Sequence, residues 1–457
     1  MQKMKNGKKV LSVCLSLAMA AGMLSTSAFA SWNVYGGSNN HNAVVTEAPT
    51  RPDKSGLDSY IQLHCTGSGW DGVDNVPVMQ TVNGTTYAYV LYDGYGASGA
   101  LVAKIRCAEN GGSSIVWTTD PYGTEGTSLN AKSGFQLSTP YLDDKGTPDD
   151  ASDDTLYVGT ISQYDDYEGG EWLTGTGSKV MALTGLDQNK PTVTNVLTGI
   201  NGQINTPITT DGTYLYFGTW PGGSNAGTYY QVKLSDYSVK TFTPDSYGFY
   251  WAGAVSDGTN VYFGSDNGLL YWRSIADFDT TGGVLDLTDV ASDAGNVRST
   301  VMLDDGYLYF TTQGGYLWCC SYDDGLTVEW HKKLGATSTS TPTKVGDRIY
   351  VGYYSGFNAG GVQCVSADGS SVKTVVEGDG FPVQSSIVVM GDGTGTDYLY
   401  FNTNAQKGAG YCYSFDGTTG SKVWGTTGDT YALGGMAIDN GYAVFGNDYN
   451  HLYVVHD

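Results

Sequence analysis

A short strand phrase with alternating aromatic residues recurs eight times along this chain, and no other feature constrains its fold as tightly. The copies are Tyr87-Ala-Tyr-Val, Leu156-Tyr-Val-Gly, Leu215-Tyr-Phe-Gly, Val261-Tyr-Phe-Gly, Leu308-Tyr-Phe-Thr, Ile349-Tyr-Val-Gly, Leu399-Tyr-Phe-Asn and Tyr442-Ala-Val-Phe. Alternation sends every second side chain to the same side of a strand, which suits a strand sandwiched between neighbouring sheets. A short strand precedes several copies, often opened by Thr-Pro (Thr139-Pro140, Thr206-Pro207, Thr341-Pro342), and a tight turn such as Asp211-Gly212, Asp257-Gly258 or Asp305-Gly306 links the two. A loop, a third strand ending near an Asp, a turn and a fourth strand follow.

Four strands per unit, with units mostly 40 to 65 residues apart, predict an all-β propeller of four-stranded antiparallel blades. Counting copies gives an eight-bladed β-propeller. The irregular unit from Asp154 to Thr210 leaves a seven-bladed ring as the alternative. A ring of small units also accounts for the length, because 457 residues exceed what one ordinary hydrophobic core serves. The 65 Gly and 35 Tyr agree with short strands and tight turns.

The first thirty residues stand apart. Lys3, Lys5, Lys8 and Lys9 precede an apolar run from Val10 to Met23, and Ala28-Phe29-Ala30 supplies small residues at a cleavage site. The run is too short for a permanent membrane span. Residues 1–30 therefore read as a secretory signal peptide, 31–59 as an N-terminal extension and 60–457 as the propeller, and the mature chain is expected outside the cell. Tyr60-Ile-Gln-Leu-His is expected to supply the outer strand that the last unit lacks, hiding two exposed edges.

Losing the leader removes four of 23 bases and none of 46 acids, leaving a net charge of −27. Nucleic acids and anionic membranes both need a positive patch, so neither is an expected partner. The acidic loop Asp143 to Asp154 holds six Asp but lacks calcium-loop spacing, and the five His show no metal-ligand spacing. No metal site is assigned.

The fullest closing phrase is Ser414-Phe-Asp416-Gly-Thr-Thr-Gly420-Ser-Lys-Val-Trp424, with a shorter copy from Ser321 to Trp330 and a degenerate one from Glu109 to Trp117. This ending, with the Thr-Pro, Asp-Gly and strand sequence before it, resembles the PQQ-like repeat of quinoprotein alcohol dehydrogenase-like propellers. The resemblance covers essentially residues 60 to 457, and it implies a ring closed by mixing the termini in one blade.

Enzymes of that family resemble one another in an acidic calcium site, a catalytic Asp and a vicinal disulfide packed on the cofactor. Cys319-Cys320 is a vicinal pair, but alignment places it in a third strand rather than a loop. Cys319, Cys364 and Cys412 each lie four residues before an Asp, which reads as thiols packed between sheets; a Cys319–Cys364 or Cys364–Cys412 disulfide stays open. With no recognisable ligands for PQQ or calcium, no cofactor and no catalytic residue is assigned. Ser321-x-Asp323-x-Gly325-x-Thr327 mimics a sialidase Asp-box, yet the chain is poor in the Arg that chemistry needs. An extracellular oxidoreductase, or a polysaccharide-active hydrolase or lyase, is the alternative function.

Binding has the better support. In a four-stranded blade, the loop between strands two and three opens on the same face as the interblade connection. Those segments carry Tyr92, Tyr95, Tyr164, Tyr167, Trp172, Trp220, Tyr353, Tyr354, Phe357 and the run Tyr247-Gly-Phe-Tyr-Trp251. Alignment on the Asp-Gly turns further expects Trp251, Asn205, Ser299 and Ser340 to ring the axis. Aromatic faces flanked by amides and hydroxyls suit a sugar or an extended peptide. Tyr95, Trp172, Trp220, Tyr250, Trp251, Arg298 and Phe357 are the candidate ligand-binding residues, for a glycan or a protein ligand.

Overall fold

The computed structural model describes residues 31–63, 72–93, 100–109, 111–120, 126–129, 138–160, 167–168, 171–172, 176–323 and 325–457; within 161–176 it describes backbone alone. Eight four-stranded antiparallel blades form an eight-bladed β-propeller. Blade 1 runs from Val78–Val82 at the axis to Ser114–Thr118 at the rim, and blade 2 from Tyr141–Asp143 to Thr192–Asn201. Blades 3 to 7 begin with Thr209–Thr210, Val255–Ser256, Met302–Asp304, Thr343–Val345 and Val388–Met390. Blade 8 takes Ala437–Asp439, Tyr442–Gly446 and His451–Val455 from the C-terminus, and Ile61–Gln62 pairs antiparallel with His451–Val455 as its outermost strand. The irregular second unit is a full blade with unusually long third and fourth strands (Thr176–Thr184, Thr192–Asn201).

Every copy of the aromatic phrase is the second strand of its blade. Its side chains pack against the adjoining blades, so the core is a set of interblade clusters rather than one central mass. The glycine that closes many copies has a steric cause. A Cβ at Gly159, Gly218, Gly264, Gly352 or Gly446 would lie 2.1–2.8 Å from Ile204, Phe249, Val297, Val383 or Val73, the residue that leads into the following blade. Since Val73 leads into blade 1, the ring closes from blade 8 onto blade 1 through the same contact.

The closing Trp works in the same way. Trp330 in blade 5 lies against Gly369 in a turn of blade 6, and Trp117 in blade 1 donates Nε1–H to Leu186 O of blade 2 at 3.4 Å. Trp424 in blade 7 has no such turn ahead of it, because blade 8 takes its outer strand from the N-terminus. Its Nε1–H reaches Pro49 O at 2.8 Å instead, so the N-terminal extension stands in for the turn.

Residues 31–45 do more than lead into the ring. They lie along the inner strands and hydrogen-bond to their open edges. Trp32 O accepts from Met79 N (2.7 Å), Asn33 O from Leu142 N (2.8 Å), Asn40 O from Leu303 N (2.9 Å) and Ala43 O from Val389 N (2.9 Å). Asn42 exchanges two side-chain hydrogen bonds with the Lys344 backbone, and Val44–Val45 add in parallel to Val388–Met390. An inner edge that would otherwise leave buried N–H groups without acceptors is thereby satisfied. No helix among the described residues is long and apolar enough to cross a membrane.

Candidate functional site

The segment before the inner strand of blade 4 is held in an unusual backbone. Tyr247 and Trp251 have φ of 65° and 57°, a region where a bulky side chain is strained. The strain is held by main-chain bonds: Tyr247 N donates to Ser224 O, Phe249 N to Thr219 O and Gly227 N to Tyr247 O. Gly227 is required there, because a Cβ would sit 2.1 Å from Thr219 O. Phe249 and Tyr250 are buried beneath, leaving the half-buried Trp251 to face the axial side.

Four of the seven candidate residues come together here. Trp220 and Tyr250 meet edge to face at 5.1 Å between centroids, and Tyr250 and Trp251 lie at 4.7 Å. The Arg298 guanidinium sits 4.4 Å over the Tyr250 ring. Asp266, in the turn after the second strand of blade 4, joins them: it accepts from Arg298 Nε (2.7 Å) and Nη2 (2.5 Å) and from Trp220 Nε1 (3.1 Å). Burial opposes the Arg298 charge, but the Asp266 hydrogen bonds and charge outweigh it and hold the guanidinium pKa above its ordinary value.

Two members of the cluster, Trp251 and Arg298, reach a funnel on the propeller axis. Trp251 and Arg298 line it with Asp74, Asn75, Thr139, Asn205, Thr300, Thr339, Gln384 and Ser385, so all eight blades contribute once Gly434 and Gly435 are included. Tyr35 of the N-terminal extension is its floor. The Tyr35 hydroxyl meets Thr341 Oγ1 at 3.0 Å, and burial pushes its pKa up. His41 anchors that segment between two carbonyls, Tyr35 O at 2.9 Å and Ala254 O at 2.8 Å, while burial lowers its pKa.

The remaining candidates lie elsewhere. Phe357 is exposed and meets Tyr431 edge to face at 5.6 Å, beside a separate depression lined by Asn358, Asp379 and Lys407. Trp172 belongs by its backbone to a small ladder with Tyr167, and Tyr95 lies outside the described residues. Tyr92 and Tyr353 are buried and pack inside blades rather than facing a ligand. At the axis, Trp251 and Asn205 line the funnel, but Ser299 and Ser340 do not. The irregular segment ahead of the inner strand turns Ser299 back into its own blade, where its Oγ accepts from Thr311 N at 2.8 Å, and presents Arg298 and Thr300 instead.

Asp266 and Tyr35 were not singled out by sequence. Asp266 carries a faint signal, as the acid of a short Ser-Asp-Asn-Gly turn near the one Arg that precedes an inner strand. Tyr35 carries none, because it lies outside the repeat.

The described cysteines Cys107, Cys319, Cys320, Cys364 and Cys412 are free thiols and buried. Cys319, Cys364 and Cys412 stand opposite Tyr309, Tyr350 and Tyr400 in equivalent strand pairs, each in a different core cluster, so neither cross-blade disulfide is formed. Burial pushes the Cys319 and Cys412 thiols up to about 12 and Cys364 to about 11. In the acidic loop, Asp143 pairs with Lys145, and Asp144, Asp150 and Asp153 accept hydrogen bonds from neighbouring residues of the loop. Among the described residues, no three His, Cys, Asp or Glu are grouped to hold a metal ion.

The fold is shared with proteins of known structure. BamB from Moraxella catarrhalis superposes with a TM-score of 0.51 at 14% identity, covering 88% of this chain and 97% of its own. A quinohemoprotein alcohol dehydrogenase from Comamonas testosteroni gives 0.58 at 11% identity, over 91% and 76%. A europium-containing methanol dehydrogenase gives 0.58 at 12% identity, over 91% and 89%. No family model and no curated protein sequence matches the chain. At identities this low the likeness shows a shared propeller fold and nothing finer.

Proposed function

We propose that this chain is a secreted, non-catalytic binding protein that presents the interblade face of its propeller to a glycan or protein ligand. The observation that carries the reading is the Trp220–Tyr250–Trp251 cluster, fixed in orientation by Arg298 and Asp266 at the mouth of the axial funnel. Ordered aromatic faces beside amides and hydroxyls bind apolar C–H surface while the polar groups set direction.

The rival reading is a quinone-dependent oxidoreductase, as in two of the proteins that share the fold. The residues here fit a planar, polyanionic quinone poorly. Tyr35 fills the axis below the funnel, and Arg298, the cation among the lining residues, is closed by Asp266. Cys319 and Cys320 point to opposite sides of one strand, into two different core clusters, rather than forming a disulfide platform in a loop.

A glycan array probed with the mature protein and its Trp220→Ala, Trp251→Ala double variant tests the proposal, together with capture of protein partners from the producing cell's surface fraction. Loss of a bound ligand in the double variant is expected. Binding that is unchanged in it removes the site, and stoichiometric uptake of PQQ with calcium replaces the reading with the oxidoreductase.

A further inference from the structure

Buried polar groups in folded proteins are almost always hydrogen-bonded, and leaving one without a partner costs about 1–3 kcal/mol. Around the funnel several such groups have no protein partner, and they converge on one small space. Asn205 is 2% exposed, and neither its Oδ1 nor its Nδ2 has a partner. Asn75, 3% exposed, donates Nδ2–H to Leu91 O at 2.7 Å, which fixes the amide and leaves Oδ1 open. The Ser385 Oγ is likewise inaccessible and without a partner. All three residues line the funnel, with the Trp251 ring beside them.

We infer that the funnel is a recognition subsite for a neutral polyhydroxylated group, namely one sugar residue entering edge first. This rests on the binding reading above and names its ligand class. An amide with both ends open offers one acceptor and two donors, the complement of neighbouring hydroxyls that each give and take a hydrogen bond. The Asn75 acceptor and the Ser385 hydroxyl extend the same pattern from blades 1 and 7, and the Trp251 ring covers the C–H face.

Charge and size narrow the class. Arg298 is already closed by a bidentate carboxylate, Asp74 is an acid, and the whole chain carries −23, so an anionic sugar finds no counter-charge. The space open to water in the funnel is about 70 Å³, room for roughly two waters at about 30 Å³ each. That holds the edge of one ring. A chain of sugars would have to continue outward along Trp251 and Trp220, the half-buried rings packed on Tyr250.

Ligand-observed NMR and titration calorimetry test this on the mature protein, with the methyl glycosides of glucose, galactose, mannose and N-acetylglucosamine as probes and glucuronic acid and glucosamine as charged comparators. At least one neutral glycoside is expected to bind, and Asn205→Leu is expected to weaken it about tenfold or more, the equivalent of one lost hydrogen-bonded pair. Asn205→Asp keeps the volume and the acceptor but loses the donors, and should also weaken binding, which separates recognition from any folding defect of the leucine variant. A glycoside lost in Trp220→Ala, Trp251→Ala yet bound normally by both Asn205 variants overturns the subsite and leaves the aromatic site standing. Preference for either charged sugar overturns the neutral class. Absence of all neutral binding, with a protein ligand still captured, overturns the inference alone.

Discussion

Val73 packs directly on Gly446: a Cβ built at Gly446 would lie 2.3 Å from the Val73 Cβ, closer than real Cβ atoms approach. This contact joins the two ends of the ring. Gly446→Ala is therefore expected to lose about 1–3 kcal/mol, the usual cost of overpacking a tight core. Gly395 is the control, since its Cβ would meet nothing within 4 Å and its backbone is not left-handed; Gly395→Ala should be neutral or slightly stabilising. Urea unfolding of the two variants checks the pair. Equal midpoints for both would mean the closing contact carries no weight.

Asp266 is the shared acceptor of Arg298 and Trp220, and replacing it by Ala strips both at once. The Arg298 side chain is 20% exposed, so the loss is smaller than for a fully buried pair, about 1–3 kcal/mol. The loss should be accompanied by a weaker near-ultraviolet circular dichroism signal as the Trp220–Tyr250–Trp251 stack loosens. Asp266→Asn retains an acceptor and should fall between. An unaltered aromatic spectrum in Asp266→Ala would mean that the rings hold their geometry without it.

Two carboxyls flank the inner strand of blade 1 from either side. Asp154 of blade 2 accepts from Gln80 Nε2 at 2.7 Å, and Asp439 of blade 8 accepts from the Thr81 hydroxyl at 2.9 Å. Burial pushes both up to about 6, with Asp144, Asp153 and Asp143 adding repulsion at Asp154 and Glu47 at Asp439. A folded pKa above the unfolded 3.8 means the folded chain binds more protons in this window. Their contribution is thus fully present below about pH 4 and is lost as pH rises through about 6. His41, lowered by burial, works in the opposite direction, so the net profile mixes signs. The Asp154→Asn, Asp439→Asn variant isolates the acids. Its unfolding free energy in urea should exceed that of the unaltered protein at pH 7.5, by on the order of 1 kcal/mol per site, and converge with it near pH 4. A constant difference across that range would refute the assignment.

Much of the architecture was legible because the repeat encodes it residue by residue. Where a copy ends in Gly, that residue is a steric signature of the following blade, and the closing Trp117 and Trp330 are contacts with the following turn, so reading the repeat amounts to reading several of its interfaces. At the site, the run Tyr247 to Trp251 and Arg298 stood out because bulky aromatics and a rare Arg interrupt an otherwise regular grammar. Asp266 looked like one more turn acid among many. The one-residue shift that presents Thr300 and Arg298 rather than Ser299 could not be read from turn alignment, since these residues lie in a bend ahead of the inner strand, outside the regular pairing that the turns register. Tyr35, His41 and Pro49 were illegible for a different reason. Their partners, Thr341, Ala254 and Trp424, are far off in the chain, and no local pattern marks a segment whose role is to satisfy the open edges of other strands.

That segment yields the last prediction. Residues 31–45 accept main-chain hydrogen bonds from Met79, Leu142, Leu303 and Val389, and they place Tyr35 under the funnel. Deleting them removes four acceptors at about 0.5–1.5 kcal/mol each, before counting the packing of Trp32, so a loss of several kcal/mol is expected. The discriminating readout is local. In hydrogen exchange the amides of Met79, Leu142, Leu303 and Val389 should lose protection in the truncated protein, while amides paired inside blades, such as those joining Tyr214–Gly218 to Tyr229–Lys233, stay protected. A synthetic peptide of residues 31–45 added back should restore the four amides together, because one continuous segment of chain serves all of them. Protection that persists at those positions without the segment would show that water or the blades themselves satisfy the inner edge, and that the axial floor is no part of what holds the ring.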